Sequence, residues 1–119
     1  MKKTGDYIPY GKHEINDDDI NLFQIDERYQ VTGVGTVLYG VLRRGKISVN
    51  DKLFLGPFNG QYTEVLVKSI HNNVKEHVPY LESGITGCLA IKILGKKNPI
   101  RPEYIKRGMV VISHPQSVY

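Results

Sequence analysis

Cysteine is almost absent from the 119-residue sequence, in which Cys88 stands alone. A single thiol cannot form an internal disulfide, so no disulfide framework holds this chain together. Cys88 lies in the apolar run Gly87-Cys88-Leu89-Ala90-Ile91, and a free cysteine in such a run is usually a small buried hydrophobe. We therefore predict that the Cys88 thiol is buried and chemically inert.

Long hydrophobic runs are also missing. No stretch approaches the ~18 consecutive apolar residues of a membrane-spanning helix. No apolar stretch follows the N-terminal lysines, as it would in a signal peptide. The sequence therefore predicts a soluble, cytoplasmic protein with no membrane partner.

Motifs that carry catalysis or bind a cofactor are missing too. A phosphate-binding loop needs converging glycine N–H groups followed by Lys-Ser or Lys-Thr, whereas Gly33-Val34-Gly35-Thr36-Val37 has no following lysine. No serine stands in the G-x-S-x-G context of a nucleophile elbow. The adjacent carboxylates Asp26 and Glu27 would point to opposite faces of a strand. We predict no catalytic residue and no bound cofactor in this chain.

The histidines form no recognisable metal-binding motif. His13, His71, His77 and His114 are far apart in the sequence and lack the short paired spacing of zinc ligands. His71 and His77 flank a predicted turn, where solvent exposure or loop packing is the simpler interpretation. The sequence therefore predicts no metal site.

Length and charge limit the size of the domain and its partners. A chain of 119 residues is one ordinary domain, too short for a second independent core. Its net charge of +4 permits attraction to phosphate, but the basic residues are dispersed. The local clusters are Arg43-Arg44-Gly45-Lys46 and Gly95-Lys96-Lys97, each beside a predicted turn where solvation alone explains them.

The spacing of hydrophobic residues predicts strands. From Leu22 onward, stretches rich in Val, Ile, Leu and Tyr are separated by Gly, Asn, Asp and Pro about every ten residues, a rhythm typical of an all-β sandwich or barrel. We predict strands at residues 22–31, 36–43, 52–56, 62–71, 85–94 and 109–113, and one helical turn around residues 102–106. Alternation predicts three shared faces: Val37, Tyr39 and Val41; Val65 and Val67; and Ile85, Leu89, Ile91 and Ile93.

Glycines mark the bends between these strands. Gly33 and Gly35 stand where a sharp bend needs positive φ or close backbone approach, and Asn59-Gly60 is a strong hairpin signal. Closing the sheet removes exposed strand edges. We therefore predict a closed antiparallel β-barrel of about six to eight short strands over residues 21–119. An irregular linker or arm would precede it over residues 1–20.

Several segments resemble domain II of translational GTPases of the elongation factor Tu and 1A superfamily. Residues 23–40, FQIDERYQVTGVGTVLYG, are similar to the opening of that domain, where aromatic and aliphatic residues precede G-x-G-T-V-x-x-G. The resemblance continues through residues 44–47, 50–53, 67–71, 83–87 and 105–110, and so covers residues 21–115. Leu55-Gly56-Pro57 and the VKSIH run at 67–71 are most similar to the GTP-binding protein 1 and 2 type.

This resemblance implies a rigid, non-catalytic module of a larger GTP-binding protein. In the family, domain II packs beside the GTPase domain and a third domain, binds the small ribosomal subunit, and helps to hold the acceptor end of aminoacyl-tRNA. GTP and magnesium would belong to the GTPase domain of the parent protein and not to this chain.

By resemblance to elongation factor Tu, one surface would hold the acceptor end of the tRNA. Aromatic and aliphatic side chains there would pack against the terminal adenosine. Thr86 stands where that factor has an asparagine, and Ile70 stands roughly where it has a glutamate that contacts the adenosine. The implied acceptor-end residues are Asp26, Glu27, Tyr29, Val31, Val37, Tyr39 and Thr86.

The resemblance also implies contact with small-subunit ribosomal RNA. At Gly33 the missing side chain would let the backbone approach phosphate. The second such glycine of the family aligns with either Ile93 or Gly95. The basic candidates for phosphate contact are Arg43, Arg44, Lys96 and Lys97.

The same residues allow other interpretations. Gly33 could serve only the bend, Tyr29 could be a core aromatic, and Val31 and Val37 could fill the barrel, which is the stronger interpretation for Val37. The barrel could also act only as a scaffold that docks onto neighbouring domains, through Tyr62, Tyr80 and Tyr104. An independent single-strand-binding barrel would rest on basicity and aromatic content alone.

Overall fold

The structure, a computed structural model, describes residues 20–94 and 100–114. These residues form nine β-strands and one short 3-10 helix, Pro102–Tyr104. The predicted arm over residues 1–20 lies outside the described residues except for Ile20. The strands are β1 (Leu22–Val31), β2 (Gly35–Arg44), β3 (Lys46–Ser48), β4 (Lys52–Phe58), β5 (Gln61–His71), β6 (His77–Val78), β7 (Tyr80–Glu82), β8 (Thr86–Ile93) and β9 (Val110–Ile112).

Six of the strands close into an antiparallel barrel. Their order is β4-β9-β1-β2-β8-β5, and β5 completes the circle by pairing with β4. Beyond its pairing with β4, β5 continues far enough to pair with the short strand β6, while β3 and β7 form a separate two-stranded ribbon. The predicted all-β fold with a closed antiparallel barrel is confirmed.

Alternation along the strands fills the barrel. In β5, Val65 and Val67 are fully buried, which confirms their predicted shared face, and in β2 the buried positions include Leu38 and Leu42. Burying each such side chain contributes about 1.5–3 kcal/mol. Other fully buried residues come from β1, β4, β5, β8 and β9: Phe23, Leu55, Ile70, Leu89 and Val111.

The predicted face of Val37, Tyr39 and Val41 is the outer one. These residues do share a face, but Leu38 and Leu42 occupy the alternate, fully buried positions. Core packing of Val37, Val31 and Tyr29 was therefore a wrong expectation. Tyr29 and Val31 are 45% and 42% exposed. Alternation shows which residues share a face, whereas closure of the barrel decides which face is inside.

Two expectations for the β8 region are also wrong. Ile85 precedes β8 and is exposed, so it does not share the core face of Leu89 and Ile91. Cys88 alternates with Leu89 and is only half-buried. Burial still raises the pKa of the Cys88 thiol, so this group remains protonated at neutral pH.

The predicted bends are confirmed, whereas three short strands were not predicted. Gly33 and Gly35 have φ of 84° and 106°, and Asn59 and Gly60 have φ of 52° and 82° in the turn between β4 and β5. Positive φ at both central residues is the geometry of a two-residue hairpin. Strands β3, β6 and β7 are two or three residues long, too short to show a period of alternation.

Candidate nucleic-acid interface

Outward-facing side chains of β1 and β2 form a continuous strip on the barrel. The register pairs Glu27 with Tyr39 and Tyr29 with Val37, and directly opposite residues of an antiparallel pair point to the same face. Val31 extends the strip toward the turn between the two strands. We call these five residues, Glu27, Tyr29, Val31, Val37 and Tyr39, the β1–β2 patch.

A pocket of about 450 Å³ adjoins this patch. The register of β1 shifts between Ile25 and Glu27, so Asp26 has no opposite residue in β2. Asp26, Tyr39 and Thr86 all line the pocket, which we call the Asp26 pocket. Patch and pocket together contain all of the acceptor-end residues that the family resemblance implies.

Gly40 sets the wall of this pocket. A Cβ atom at Gly40 would lie 2.0 Å from the carbonyl oxygen of Gln24 and 3.1 Å from the ring of Phe23. Real Cβ atoms do not approach backbone so closely, so only glycine lets β1 cross β2 at this separation. The last glycine of the sequence pattern G-x-G-T-V-x-x-G thus has a structural reason.

Two arginines line the Asp26 pocket. The Arg107 guanidinium is 2.8 Å from the Asp26 carboxylate, and both side chains are largely exposed. Nε of Arg43 donates a hydrogen bond of 3.0 Å to the side-chain oxygen of Gln24. Such exposed pairs contribute only about 0–1 kcal/mol. A phosphate or carboxylate entering the pocket can therefore compete for these guanidinium groups.

A hydrogen bond within the β1–β2 patch holds the ring of Tyr29. The Tyr29 hydroxyl donates to the Glu27 carboxylate. This hydrogen bond is the main cause that raises the pKa of Tyr29, and desolvation and the negative charge of Glu27 add to it. Because the phenol stays neutral and its oxygen is held, the ring presents a defined surface for stacking.

Gly33 precedes the start of β2, whereas Arg43 lies near the end of that strand. No atom lies within 4 Å of a Cβ placed on Gly33, so its surroundings are open. The Lys68 ammonium donates a hydrogen bond of 2.6 Å to the carbonyl oxygen of the neighbouring Val34. Lys68 therefore brings a positive charge to the turn that carries Gly33.

The described basic candidates lie far from Gly33. Arg43 is eight positions after Gly35 in β2, about 26 Å along a strand. Arg43 and Arg44 are exposed at that far end. Gly95, Lys96 and Lys97 lie outside the described residues, so their positions relative to Gly33 stay a prediction. Of the described basic residues, Lys68 is near Gly33 and Arg43 and Arg107 line the Asp26 pocket.

A separate apolar groove of about 400 Å³ includes Tyr104, one of the three tyrosines predicted to dock onto neighbouring domains. Tyr104 is 53% exposed, and Phe58 and Met109 also line the groove. Tyr80 is exposed elsewhere, with the Lys46 ammonium 4.5 Å from its ring centroid. Tyr62 is half-buried. The three tyrosines therefore do not share this groove.

The structure brings together two histidines that sequence spacing did not pair. His71 in β5 lies directly opposite His77 in β6, and their Nε2 atoms are 3.1 Å apart. The two residues flank the predicted turn, and the hairpin that forms there brings their rings together. Within residues 20–94 and 100–114, no group of three or more His, Cys, Asp and Glu has a metal-binding arrangement.

No helix of the described residues is long and apolar enough to cross a membrane.

Sequence reasoning missed Arg107, Lys68 and Gln24 as parts of the candidate surfaces. Arg107 contacts Asp26 across a separation of 81 residues, and Lys68 reaches Val34 across 34. Segments containing Arg107 and Lys68 belong to the family resemblance, but no local signal connects either residue to its partner. Only the order and register of the strands place them.

The chain is similar to parts of several curated proteins. It is 42% identical over 92 residues to GTP-binding protein 1 of Xenopus laevis, covering 76% of this chain and 13% of that protein. It is 32% identical over 122 residues to the selenocysteine-specific elongation factor of Methanocaldococcus jannaschii, covering 93% and 24%. GTP-binding protein 2 of Homo sapiens is 34% identical over 92 residues, covering 76% and 14%. No family model matches the chain.

Solved structures share the fold. The translation elongation factor SelB from Methanococcus maripaludis, in its apo form, superposes with a TM-score of 0.68 at 26% identity, covering 88% of this chain and 21% of that one. A bacterial selenocysteine-specific elongation factor superposes with a TM-score of 0.67, covering 88% and 16%. At 20% identity, the second likeness concerns the fold alone.

The chain spans about a quarter or less of the length of these relatives, so it corresponds to one part of each. Its closed barrel of six strands and the sequence identity over most of its length confirm the resemblance inferred from G-x-G-T-V-x-x-G. The chain is a homologue of GTP-binding proteins 1 and 2 and of selenocysteine-specific elongation factors, with the domain II type of barrel found in translational GTPases.

Proposed function

We propose that residues 21–119 are the non-catalytic domain II of an elongation-factor-like translational GTPase that works in the cytoplasm, with residues 1–20 as a linker or arm. GTP and magnesium would bind to a GTPase domain of the parent protein. This barrel would pack against that GTPase domain and against a third domain. The relatives named above are GTP-binding proteins and elongation factors, and this chain matches only a part of each.

We further propose that the β1–β2 patch and the Asp26 pocket bind the acceptor end of aminoacyl-tRNA. The observation that carries this proposal is their adjacency, since Tyr39 belongs to both. Val31 and Val37 offer an apolar floor and Tyr29 an aromatic ring against which an unstacked base can pack. Arg43 and Arg107 offer guanidinium donors to a phosphate or to the ester end.

Departures from elongation factor Tu alter the details of this site. Ile70 is fully buried, so it cannot replace the glutamate that contacts the adenosine in that factor. The hydroxyl of Thr86 keeps a donor and an acceptor but reaches less far than an asparagine amide. Recognition of the base in this chain would therefore depend more on packing against the patch than on side-chain hydrogen bonds.

The test is fluorescence anisotropy of labelled tRNA, aminoacylated or deacylated, with the 119-residue chain across a salt series. Stacking on an aromatic side chain is worth about 1–3 kcal/mol per base, so Tyr29→Ala and Tyr39→Ala should each weaken binding by about 5–150-fold. Tyr80→Ala removes an exposed tyrosine outside the patch and should leave binding unchanged. Equal losses in all three variants would contradict a site at the patch.

We propose that the turn containing Gly33 approaches small-subunit ribosomal RNA. Its open surroundings and the nearby Lys68 ammonium support this proposal. Gly33→Asp would add a negative charge and should reduce co-sedimentation with small ribosomal subunits. Gly60→Asp is the matched control, because Gly60 has a φ of 82°, similar to the 84° of Gly33, and equally open surroundings. Similar effects of both substitutions would argue against a specific contact at Gly33.

A second candidate function is a scaffold that only docks onto neighbouring domains. The apolar groove beside the exposed Tyr104 favours it, because a concave apolar surface is suited to burial against a partner. Tyr104→Ser should then weaken association with the separately purified GTPase domain of the parent protein. If no patch variant changes tRNA binding while Tyr104→Ser prevents docking, the scaffold role accounts for the domain.

A further inference from the structure

We propose that His71 and His77 form a two-histidine site for a divalent transition metal ion, of which Zn²⁺ is the probe chosen below. The two residues lie directly opposite each other in β5 and β6. Their Nε2 atoms are 3.1 Å apart, and their ring centroids are 3.9 Å apart with the rings tilted by 45°. His77 is exposed and His71 is half-buried, so an ion can reach the pair from solvent.

The separation of the two nitrogen atoms fits ligands of a single ion. Zinc binds histidine nitrogen at about 2.0–2.1 Å in tetrahedral geometry, which places two such nitrogens about 3.3 Å apart. The observed 3.1 Å is close to this separation, and because the ring centroids are only 3.9 Å apart, the two rings must rotate to direct both Nε2 atoms at one ion. In the absence of metal, one Nε2–H donates to the other Nε2, and a metal would take the place of that proton.

The hairpin that carries the pair is ordered by its own hydrogen bonds. The side-chain oxygen of Asn72 accepts from the backbone N–H groups of Val74 and Glu76, each at 3.0 Å. The backbone N–H of Asn72 donates to the carbonyl oxygen of Glu76, also at 3.0 Å. Because the loop is already held, binding would cost little conformational entropy.

The remaining coordination positions would be filled by water. Cys88 is the residue of β8 opposite His71, but it forms no three-ligand arrangement with the two histidines. No third ligand of suitable geometry joins the pair among the described residues. The site should therefore be open, weaker than a closed structural zinc site, and selective for the ions that prefer imidazole: zinc, copper and nickel.

Metal binding here would stabilise the pairing of the shortest strand of the sheet. Strand β6 contains His77 and Val78, and among the described strands it pairs only with the end of β5. A ligand that binds the native state alone stabilises it in proportion to the logarithm of its concentration over Kd. The ion would thus stabilise the hairpin against local opening. This stabilisation would not require bound RNA.

The test is thermal unfolding of the full chain with ZnCl₂ or MgCl₂. Zinc should raise Tm by about 5 °C or more when its concentration exceeds Kd tenfold, whereas magnesium, which prefers oxygen ligands, should not. His71→Gln and His77→Gln should each abolish the shift. His114→Gln removes another exposed histidine and should keep it, as should Cys88→Ser.

A second measurement keeps the proposal testable if a glutamine variant unfolds. In the unaltered chain, substoichiometric Ni²⁺ should broaden the imidazole proton resonances of His71 and His77 before those of His114. A zinc-induced rise in Tm that persists in both glutamine variants would overturn the proposal. So would the absence of any shift in the unaltered chain, or first broadening at His114.

Discussion

The hydroxyl of Thr63 allows a direct test of what an unpaired polar group costs in the barrel core. Thr63 is 1% exposed, and its Oγ1 is buried without a hydrogen-bond partner among the described residues. A buried hydroxyl left unpaired costs about 1–3 kcal/mol. Thr63→Val keeps the shape of the side chain and removes that cost, so we expect the free energy of unfolding to rise by about 1 kcal/mol or more.

Thr36, in β2, supplies a matched control. It is also buried, at 7% exposure, but its hydroxyl donates a hydrogen bond of 2.7 Å to the side-chain oxygen of Gln30. Thr36→Val should therefore lower the free energy of unfolding by about 1 kcal/mol. Urea unfolding followed by circular dichroism measures both. If Thr63→Val destabilises the chain as much as Thr36→Val does, the hydroxyl of Thr63 is not unsatisfied and this reasoning fails.

Two further predictions concern the candidate interface. Gly40→Ala should destabilise the chain by about 3 kcal/mol or more, because the new Cβ would meet backbone at 2.0 Å. Gly33→Ala meets no atom and should cost only about 1–2 kcal/mol for its positive φ; equal losses in urea unfolding would contradict the steric cause. The raised pKa of Tyr29 favours its protonated form in the folded state, so its stabilising effect is complete below the unfolded pKa and is lost as pH rises through the folded one. Glu27→Gln should therefore lower the pH at which Tyr29 ionises, measured by ultraviolet absorbance, and an unchanged titration would refute the role of the carboxylate.

Most of the barrel could be predicted from the sequence, but the direction of its faces could not. The predicted strand at residues 22–31 coincides with β1, because its apolar residues and the bend at Gly33 that follows it are local signals. In β2, however, Val37 and Val41 are aliphatic like Leu38 and Leu42, so the alternation has no charged or strongly polar side to mark the exterior. The side was decided by closure of the sheet, which involves strands far apart in sequence.

Some residues of the candidate site could likewise be predicted from the sequence, and others could not. Its acceptor-end residues came from a family resemblance, and the structure unites them because they lie in adjacent strands. Arg107, by contrast, joins Asp26 through the turn that leads into β9, which pairs with the start of β1. Likewise, His71 meets His77 only because the intervening residues form a hairpin. Strand register, which single residues do not encode, determines both contacts, over a long sequence separation for Arg107 and within one hairpin for His71.

Gly40 is part of both the Asp26 pocket and the packing of the barrel. It lets β1 lie close to β2, and the adjacent shift in register leaves Asp26 without an opposite residue in β2. The same shift restores the pairing of Glu27 with Tyr39, which places the β1–β2 patch beside the pocket. A larger residue at position 40 would thus disturb the candidate site and the core together. No substitution of Gly40 can therefore separate the proposed function from the packing of the core, so this function must be tested at Tyr29, Tyr39 and Arg107, whose side chains lie outside the core.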